Sequence, residues 1–397
     1  MKILHTADWH IGTRTDDYLR LEEQRKTCAE IVNIANEKQV DMVIIAGDLY
    51  DSFLPSADAE KLVFDTLLDL CDDGNRAVVV IAGNHDDPRR LSNAHVFASM
   101  HNIYLVGAME KIEFANLKNK NIVPVKSGVG HIEFKTKAGE KVVVATMPYP
   151  SYYRYKQIKK DGEQLGDSIK EWFKPALAGF KKDTINIAVS HLLTYPVNCN
   201  PAEFENYEVV GGAISFVDRE NLISQADYTA LGHIHHQIAI DKINHIYYSG
   251  GTINKFFDDV SIKNHVLIAD MDSKHKVKKV ERVELTSPLR LQSQRVSSME
   301  EALNFLKVNT EKLIRLIFTD MDFVNPQDIK KIKREYPNVI TISVEPKKIS
   351  DQVVVTKKDL STKEIFEKFV EHKTGELPED ELTNLFLELM GEVVYEA

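Results

Sequence analysis

Five short apolar runs, each stopped by a polar cluster, constrain this chain more than any other feature. KILHTA runs into Asp8-Trp9-His10, MVIIAG into Asp48-Leu49-Tyr50-Asp51, and VVVIAG into Asn84-His85-Asp86. INIAVS then runs into His191, and YTAL into Gly232-His233-Ile234-His235. Short β-rich apolar runs ended by Gly or polar residues read as buried strands. In open α/β sheets functional groups gather beyond the carboxyl ends of the strands, so these tails are expected at one rim. Any single tail could be a turn or a helix cap. Five in succession point to a site. Carboxylate, imidazole and amide donors suit a pair of Mn²⁺-like ions better than a thiolate zinc centre.

The order D-x-H, GD-x-x-D, GNHD, a separate His and G-H-x-H resembles the calcineurin-like metallophosphoesterases. More closely, LHTADWHIG, AGDLYD, AGNHDD, SHLLT and ALGHIHH are similar to the bacterial SbcD-type nuclease subunits. The likeness runs past the G-H-x-H motif and returns in the C-terminal tail. It implies an α/β class fold: a two-sheet α/β/β/α metallophosphoesterase sandwich with a small α/β capping domain and a C-terminal helical tail. It also implies two divalent ions, Mn²⁺ by preference. Asp48 would bridge them, with Asp8, His10 and His235 on one ion and Asn84, His191 and His233 on the other. His85 would protonate the leaving oxygen, and Asp51 stands where phosphatases of this superfamily keep the carboxylate that orients it. Archaeal and eukaryotic nuclease relatives usually have His at that position, so no direct histidine role carries over there.

Composition bounds the alternatives. The chain has 397 residues, 43% of them hydrophobic and 28% charged, with three cysteines. Cys28, Cys71 and Cys199 form neither a C-x-x-C pair nor an even disulfide set, which suits a reducing compartment. No run approaches the ~18 apolar residues of a membrane span, and Asp8 and His10 interrupt any leader pattern. A cytoplasmic protein without membrane contact is expected. Of the net charge of −10, residues 359–397 contribute −8 through eleven acidic and three basic side chains. The near-neutral body can therefore bind DNA through local cations and the ions of the site. Arg89, Arg90 and His236 are the candidate DNA contacts. Without a G-x-x-x-x-G-K-[ST] loop, ATP-driven work would need a partner.

The chain divides by pattern into residues 1–286, 287–348 and 349–397, which the resemblance implies are a nuclease domain, a capping and DNA-binding domain, and a linker with a partner-docking tail. Helices are expected over 21–38, with an inner stripe of Leu21, Cys28, Ile31, Val32 and Ala35, over 56–73 and over 169–180. Short runs at 103–106, 122–125, 131–134 and 141–146 read as antiparallel strands of a second sheet. Strands 245–248 and 264–271 read as a closing pair. Residues 290–345 read strand, helix, strand, helix, strand, with a capping box at Ser298–Glu301 and an N-cap at Asn325-Pro326. Two amphipathic tail helices present Ile365, Phe366 and Phe369, then Leu382, Leu385 and Phe386. They either fold back on the body or dock on a partner helix. The resemblance favours docking on an SbcC-type coiled-coil ATPase subunit, in a heterotetramer built on a homodimer.

His5 reads as a core histidine, Trp9 as part of the site wall, and Tyr152, Tyr153 and Tyr155 as a packed loop. The function expected is a Mn-dependent DNA nuclease subunit with double-strand exonuclease and single-strand or hairpin endonuclease action. The alternatives are a small-molecule phosphodiesterase or protein phosphatase on the same site, or a non-catalytic scaffold, which would have lost ligands.

Overall fold

The apolar runs form strands buried on both faces. Every residue of Met42–Ile45, Ala77–Ile81, Ile185–His191 and Tyr228–Gly232 is buried. Such continuous runs belong to parallel sheets covered on both sides. The computed structural model describes residues 1–149, 165–194, 226–257, 263–274, 276–319 and 323–345, and in the tail 362–374, 377–379, 382, 383 and 386. The chain forms two compact units, Met1–Glu345 and Pro346–Ala397.

In the first sheet Lys2–Thr6, Met42–Ile45, Ala77–Ile81 and Ile103–Val106 run parallel. His265–Asp272 and Lys276–Glu284 extend it antiparallel beyond Lys2–Thr6. In the second sheet Ile246–Tyr248, Tyr228–Gly232, Ile185–His191 and Lys141–Met147 run parallel. Antiparallel strands flank them, Ile238–Asp241 on one side and His131–Thr136 with Ile122–Gly128 on the other. Ile3, Ile44, Val79 and Tyr104 of the first sheet share one core with Phe134, Val144, Ile187 and Tyr228 of the second.

Helix α1 (Leu21–Glu37) and helix α2 (Ala57–Leu70) cover the outer face of the first sheet. Helix Leu165–Leu177 covers the second, setting Ile169 and Phe173 against Ala145, Met147 and Ala188. The result is the expected α/β/β/α sandwich. The stripe of α1 differs at one place: Ile34 is buried and Val32 is only half-buried.

Two strand assignments need correction. Ile103–Val106 is a parallel strand of the first sheet. Helix α3 (Pro88–Ala98), capped by Asp87 and opened by Pro88, carries the chain over to it as a βαβ crossover. The short segment between Pro88 and Ile103 shows only two or three turns of helical pattern, too few to mark the crossover from sequence. Ile246–Tyr248 and His265–Asp272 are not a pair, because they lie in different sheets.

The strand–helix alternation beyond residue 290 gives a third sheet, Arg290–Val296, Lys312–Phe318 and Val339–Val344, all parallel. Helices Met299–Lys307 and Pro326–Glu335 pack on it through Leu306 and Ile332 against Val296, Ile314 and Phe318. Ser298 Oγ accepts the Glu301 N–H, and Asn325 Oδ1 accepts the Gln327 N–H. On the opposite face Leu291, Leu313 and Ile340 receive Phe257.

In the tail unit, helix Thr362–Thr374 is formed, and the Phe366 and Phe386 rings stack with centroids 4.0 Å apart. Phe369 and Leu382 are exposed. Leu385, the side chain of Ile365, and Tyr152, Tyr153 and Tyr155 lie outside the described residues. Among those described, no helix is long and apolar enough to cross a membrane.

Candidate metal centre

Both sheets send their strand ends to one place. Asp8 and His10 follow Lys2–Thr6, Asp48 follows Met42–Ile45, and Asn84 and His85 follow Ala77–Ile81. His191 ends one strand of the second sheet, and His233 and His235 follow Tyr228–Gly232. Four of these residues hold positive φ: Asp8 at 52°, His10 at 45°, Asp48 at 54° and His233 at 104°. Non-glycine residues adopt this region rarely, and it persists where surrounding structure over-determines it, commonly at functional sites. Here main-chain bonds supply the constraint. The Asp8 N–H meets Gly47 O at 3.0 Å, and the His10 N–H meets Asp48 O at 2.9 Å. Gly83 and Gly232 permit the close approach, since a Cβ would collide with Asp48 Oδ1 at the first and Ala46 O at the second.

The side chains form two donor groups around one carboxylate. His10 Nε2 lies 3.0 Å from His235 Nε2, and donor atoms of Asp8, His10 and His235 lie within 4.8 Å of one another. Asn84 Oδ1 lies 2.9 Å from both His191 Nε2 and His233 Nδ1. Between the groups, Asp48 Oδ2 lies 3.5 Å from His10 Nε2 and 3.4 Å from His191 Nε2. His191 Nδ1 donates to the Ala46 carbonyl at 2.7 Å. Its Nε2, when neutral, therefore points a lone pair at two oxygen acceptors. A positive charge belongs in that gap. Ligand atoms bonded to one ion at right angles, each about 2.1 Å away, lie about 3 Å apart, the spacing found here. The donor set fits divalent ions with oxygen and imidazole ligands.

Electrostatics agree. Burial would raise Asp48, but His191 and His10 beside it hold its carboxyl well below the usual range. Burial would lower His191, but the Asp48 charge raises it to about 9. Burial raises Asp8, and it lowers His10 to about 4 and His233 to about 3, with His235 also lowered. His10, His233 and His235 are therefore neutral at physiological pH, the form that binds metal. His191 instead carries the proton that an ion would displace.

His85 lies beside this centre, its ring centroid 4.7 Å from that of His10. The orienting carboxylate expected from Asp51 is not what His85 meets. His85 Nδ1 faces the main-chain carbonyl oxygen of Asp51 at 2.9 Å. The Asp51 carboxylate turns instead to Lys255 Nζ at 2.9 Å and His10 Nδ1 at 3.5 Å. Asp51 lies three residues after the left-handed Asp48, and sequence spacing does not reveal that its main chain is what His85 meets.

Other candidates fall into place by contact. Arg90 is paired with Glu60 at 2.6 Å, and Arg89, largely exposed, lies 3.9 Å from Asp87 Oδ1. His236 is half-buried beside the G-H-x-H motif. Trp9 is buried with its indole N–H on Thr6 Oγ1, so it is wall and not a stacking platform. His5 is buried and satisfied, bonded to Tyr228 and the Leu231 carbonyl. Sequence reasoning gives no role to three residues at the site. The Asp86 carboxylate accepts the N–H groups of Leu49, Tyr50 and Gly83, tying two strand-end loops together. The Tyr149 ring stacks 6.0 Å from His233. Lys255 reaches Asp51 from a distant loop. Only Asp86 carries a signal, as the last letter of GNHD.

A two-sheet sandwich with this donor set at its strand ends defines a metal-dependent phosphodiester hydrolase. The calcineurin-like phosphoesterase family profile matches residues 1–237. The chain is 30% identical to the SbcD component of the Bacillus subtilis SbcCD nuclease, over 99% of this chain and 98% of the relative. The SbcD components from Staphylococcus epidermidis and Staphylococcus saprophyticus are 25% and 28% identical, over 89% and 65% of this chain and 91% and 62% of theirs. The chain belongs to the SbcD nuclease-subunit family of the calcineurin-like phosphoesterases.

Proposed function

We propose that this chain is the Mn²⁺-dependent nuclease subunit of a DNA-processing complex. In that role it cuts double-stranded ends as an exonuclease and single strands or hairpins as an endonuclease. The position of Asp48 Oδ2, between two complete donor groups, carries the catalytic part of the reading. The likeness to the SbcD nuclease component across the third sheet and tail favours a nucleic-acid substrate over a small phosphodiester.

Asp8, His10, His235 and Asp48 would hold one ion, and Asn84, His191, His233 and Asp48 the other. Bound there, two divalent ions supply Lewis acidity toward a phosphodiester and its attacking water. His85, fixed through Nδ1, turns Nε2 to the site and in its protonated form donates to the leaving oxygen. Residues 1–286 would then be the nuclease domain, 287–348 the DNA-binding cap and 349–397 the docking tail. Exposed Phe369 and Leu382 give the tail an apolar surface for an SbcC-type coiled-coil ATPase. Exposed Phe64 and Leu68 of α2, and Val96 and Phe97 of α3, give the body a face for a second copy.

The test is cleavage of a single-stranded oligonucleotide and a linear duplex with Mn²⁺, beside Asp48→Ala and His85→Ala. Both variants should lose cutting, and only His85→Ala should keep its metal. Hydrolysis of bis(p-nitrophenyl) phosphate without any DNA cutting would move the assignment to a small-molecule phosphodiesterase.

A further inference from the structure

Lys255 lies outside every motif of the sequence, on the loop 250–257 between the metal centre and the third sheet. On the site side the Gly251 N–H bonds His235 O at 3.0 Å, and the Thr252 N–H bonds Asp8 O at 3.4 Å. On the other side Arg20, buried and paired with Glu23, donates to the Asn254 carbonyl at 2.9 Å. The Thr15 hydroxyl donates to the Lys255 carbonyl at 3.2 Å. Two residues on, Phe257 packs with Leu291 and Leu313, and the Arg315 guanidinium lies 4.6 Å above its ring. The main chain at Lys255 is thus held from both directions.

The side chain is 13% exposed, and its ammonium meets Asp51 Oδ1 at 2.9 Å. That same oxygen lies 3.5 Å from His10 Nδ1, at ion-pair distance and not hydrogen-bonded. It is the carboxylate oxygen facing a buried nitrogen that has no hydrogen-bond partner among the described residues. The main-chain carbonyl of Asp51 holds His85 Nδ1, and its N–H bonds Ile11 O at 3.2 Å. One residue therefore presents an oxygen to each of two imidazoles, one facing the metal centre and one beside it. A carboxylate behind an imidazole fixes its tautomer and raises its strength as a metal ligand. Lys255 is the only cation among the described residues seen to contact that carboxylate.

We propose that Lys255 is a positioning residue of the metal centre: it anchors Asp51 so that His10 and His85 keep their working orientations. The proposal rests on the two-ion reading above. A direct clamp on a substrate phosphate is the competing role for a lysine near such a site. The near-complete burial of the side chain and its engagement with Asp51 favour positioning.

The test uses the full-length chain and four variants: Lys255→Met, Lys255→Arg, Asp51→Asn, and Lys255→Met with Asp51→Asn. Mn²⁺ affinity is read by titration calorimetry, and kcat and KM on bis(p-nitrophenyl) phosphate. Loss of an outer carboxylate–histidine partner typically costs about 10–100-fold in metal affinity or activity. Lys255→Met should weaken one Mn²⁺ site and lower kcat within that range, with KM little changed. Lys255→Arg should restore most of both. In the Asp51→Asn background, Lys255→Met should add nothing further, because the lysine acts through that carboxylate. The double variant also avoids leaving Asp51 charged without a partner. Unaltered Mn²⁺ affinity in Lys255→Met, a change in KM alone, or additive effects in the double variant would overturn the proposal. If the unmodified chain takes up no Mn²⁺, the two-ion reading falls first and the proposal with it.

Discussion

His85 Nδ1 stands 2.9 Å from the main-chain carbonyl oxygen of Asp51. A carbonyl only accepts, so Nδ1 carries the proton of that bond and Nε2 is the nitrogen left for the chemistry proposed for His85. No side-chain substitution at Asp51 removes that carbonyl. His85→Ala should lower kcat by about 10²–10⁴-fold, the usual worth of a positioned acid, with metal content unchanged by elemental analysis. Asp51→Asn should act differently, weakening Mn²⁺ binding through His10. Equal metal retention in both variants would contradict this division of labour.

Gly83 is a second point where backbone and site are inseparable. A Cβ there would meet Asp48 Oδ1 and the Asp48 main-chain nitrogen. Gly83→Ala should displace the proposed bridging carboxylate, abolishing cutting and metal uptake while circular dichroism stays near that of the parent. Gly139 makes a fair control, since it holds φ at +90° with nothing within 4 Å of a built Cβ. Gly139→Ala should lower stability by roughly 1 kcal/mol, as expected where Ala is forced to positive φ, and leave metal uptake intact.

The parts of this molecule legible in the sequence are those in which local pattern and tertiary role coincide. The strand ends at Asp8, Asp48, Asn84, His191 and His233 are marked because buried parallel strands are continuous apolar runs, and polar residues can resume only where they end. The strand–helix alternation after residue 290 is legible for the same reason. Pattern misplaces Ile103–Val106 because a strand's sheet depends on its crossover, and α3 buries only Leu91 fully, so its inner stripe is too short to read. Lys255 is invisible. Its partner Asp51 is far away in sequence, and only the route of loop 250–257 past Asp8, His235 and Arg20 brings the two together. Spacing finds Asp51 as a residue but not which of its oxygens meets His85, because it cannot distinguish a carbonyl from a carboxylate.

The charge balance at the centre gives a pH signature to the metal-free protein. His191 in the folded state is raised to about 9 from its ordinary 6.5. A group raised in this way contributes stability that is complete below pH 6.5 and is lost as pH climbs through about 9. Asp8, also raised, acts in the same direction. His10 and His233, lowered to about 4 and 3, titrate well below this range. With chelator present, the melting temperature should therefore fall between pH 7 and pH 9.5. With Mn²⁺ the fall should vanish or reverse, because metal binding requires the deprotonated ligands. A flat metal-free profile would show that the His191–Asp48 pair does not carry that charge.

The exposed face of α2 and α3 makes the last prediction. Phe97 is 75% exposed, Val96 67% and Phe64 40%, on helices whose opposite sides pack into the core. Large apolar side chains grouped on adjacent helices commonly mark a protein–protein contact. Arg90 and Glu60, paired at 2.6 Å, add a polar link between the same two helices. If a second copy covers this face, Phe97→Glu would bury a charge without a partner, which is costly at a desolvated interface. Sedimentation velocity should show the unmodified chain as a dimer at micromolar concentration and Phe97→Glu as a monomer. Hydrolysis of bis(p-nitrophenyl) phosphate should be unchanged, since no donor atom of the metal centre lies on that face. A monomeric parent chain, or a variant that remains dimeric, would remove the face from consideration as the contact between copies.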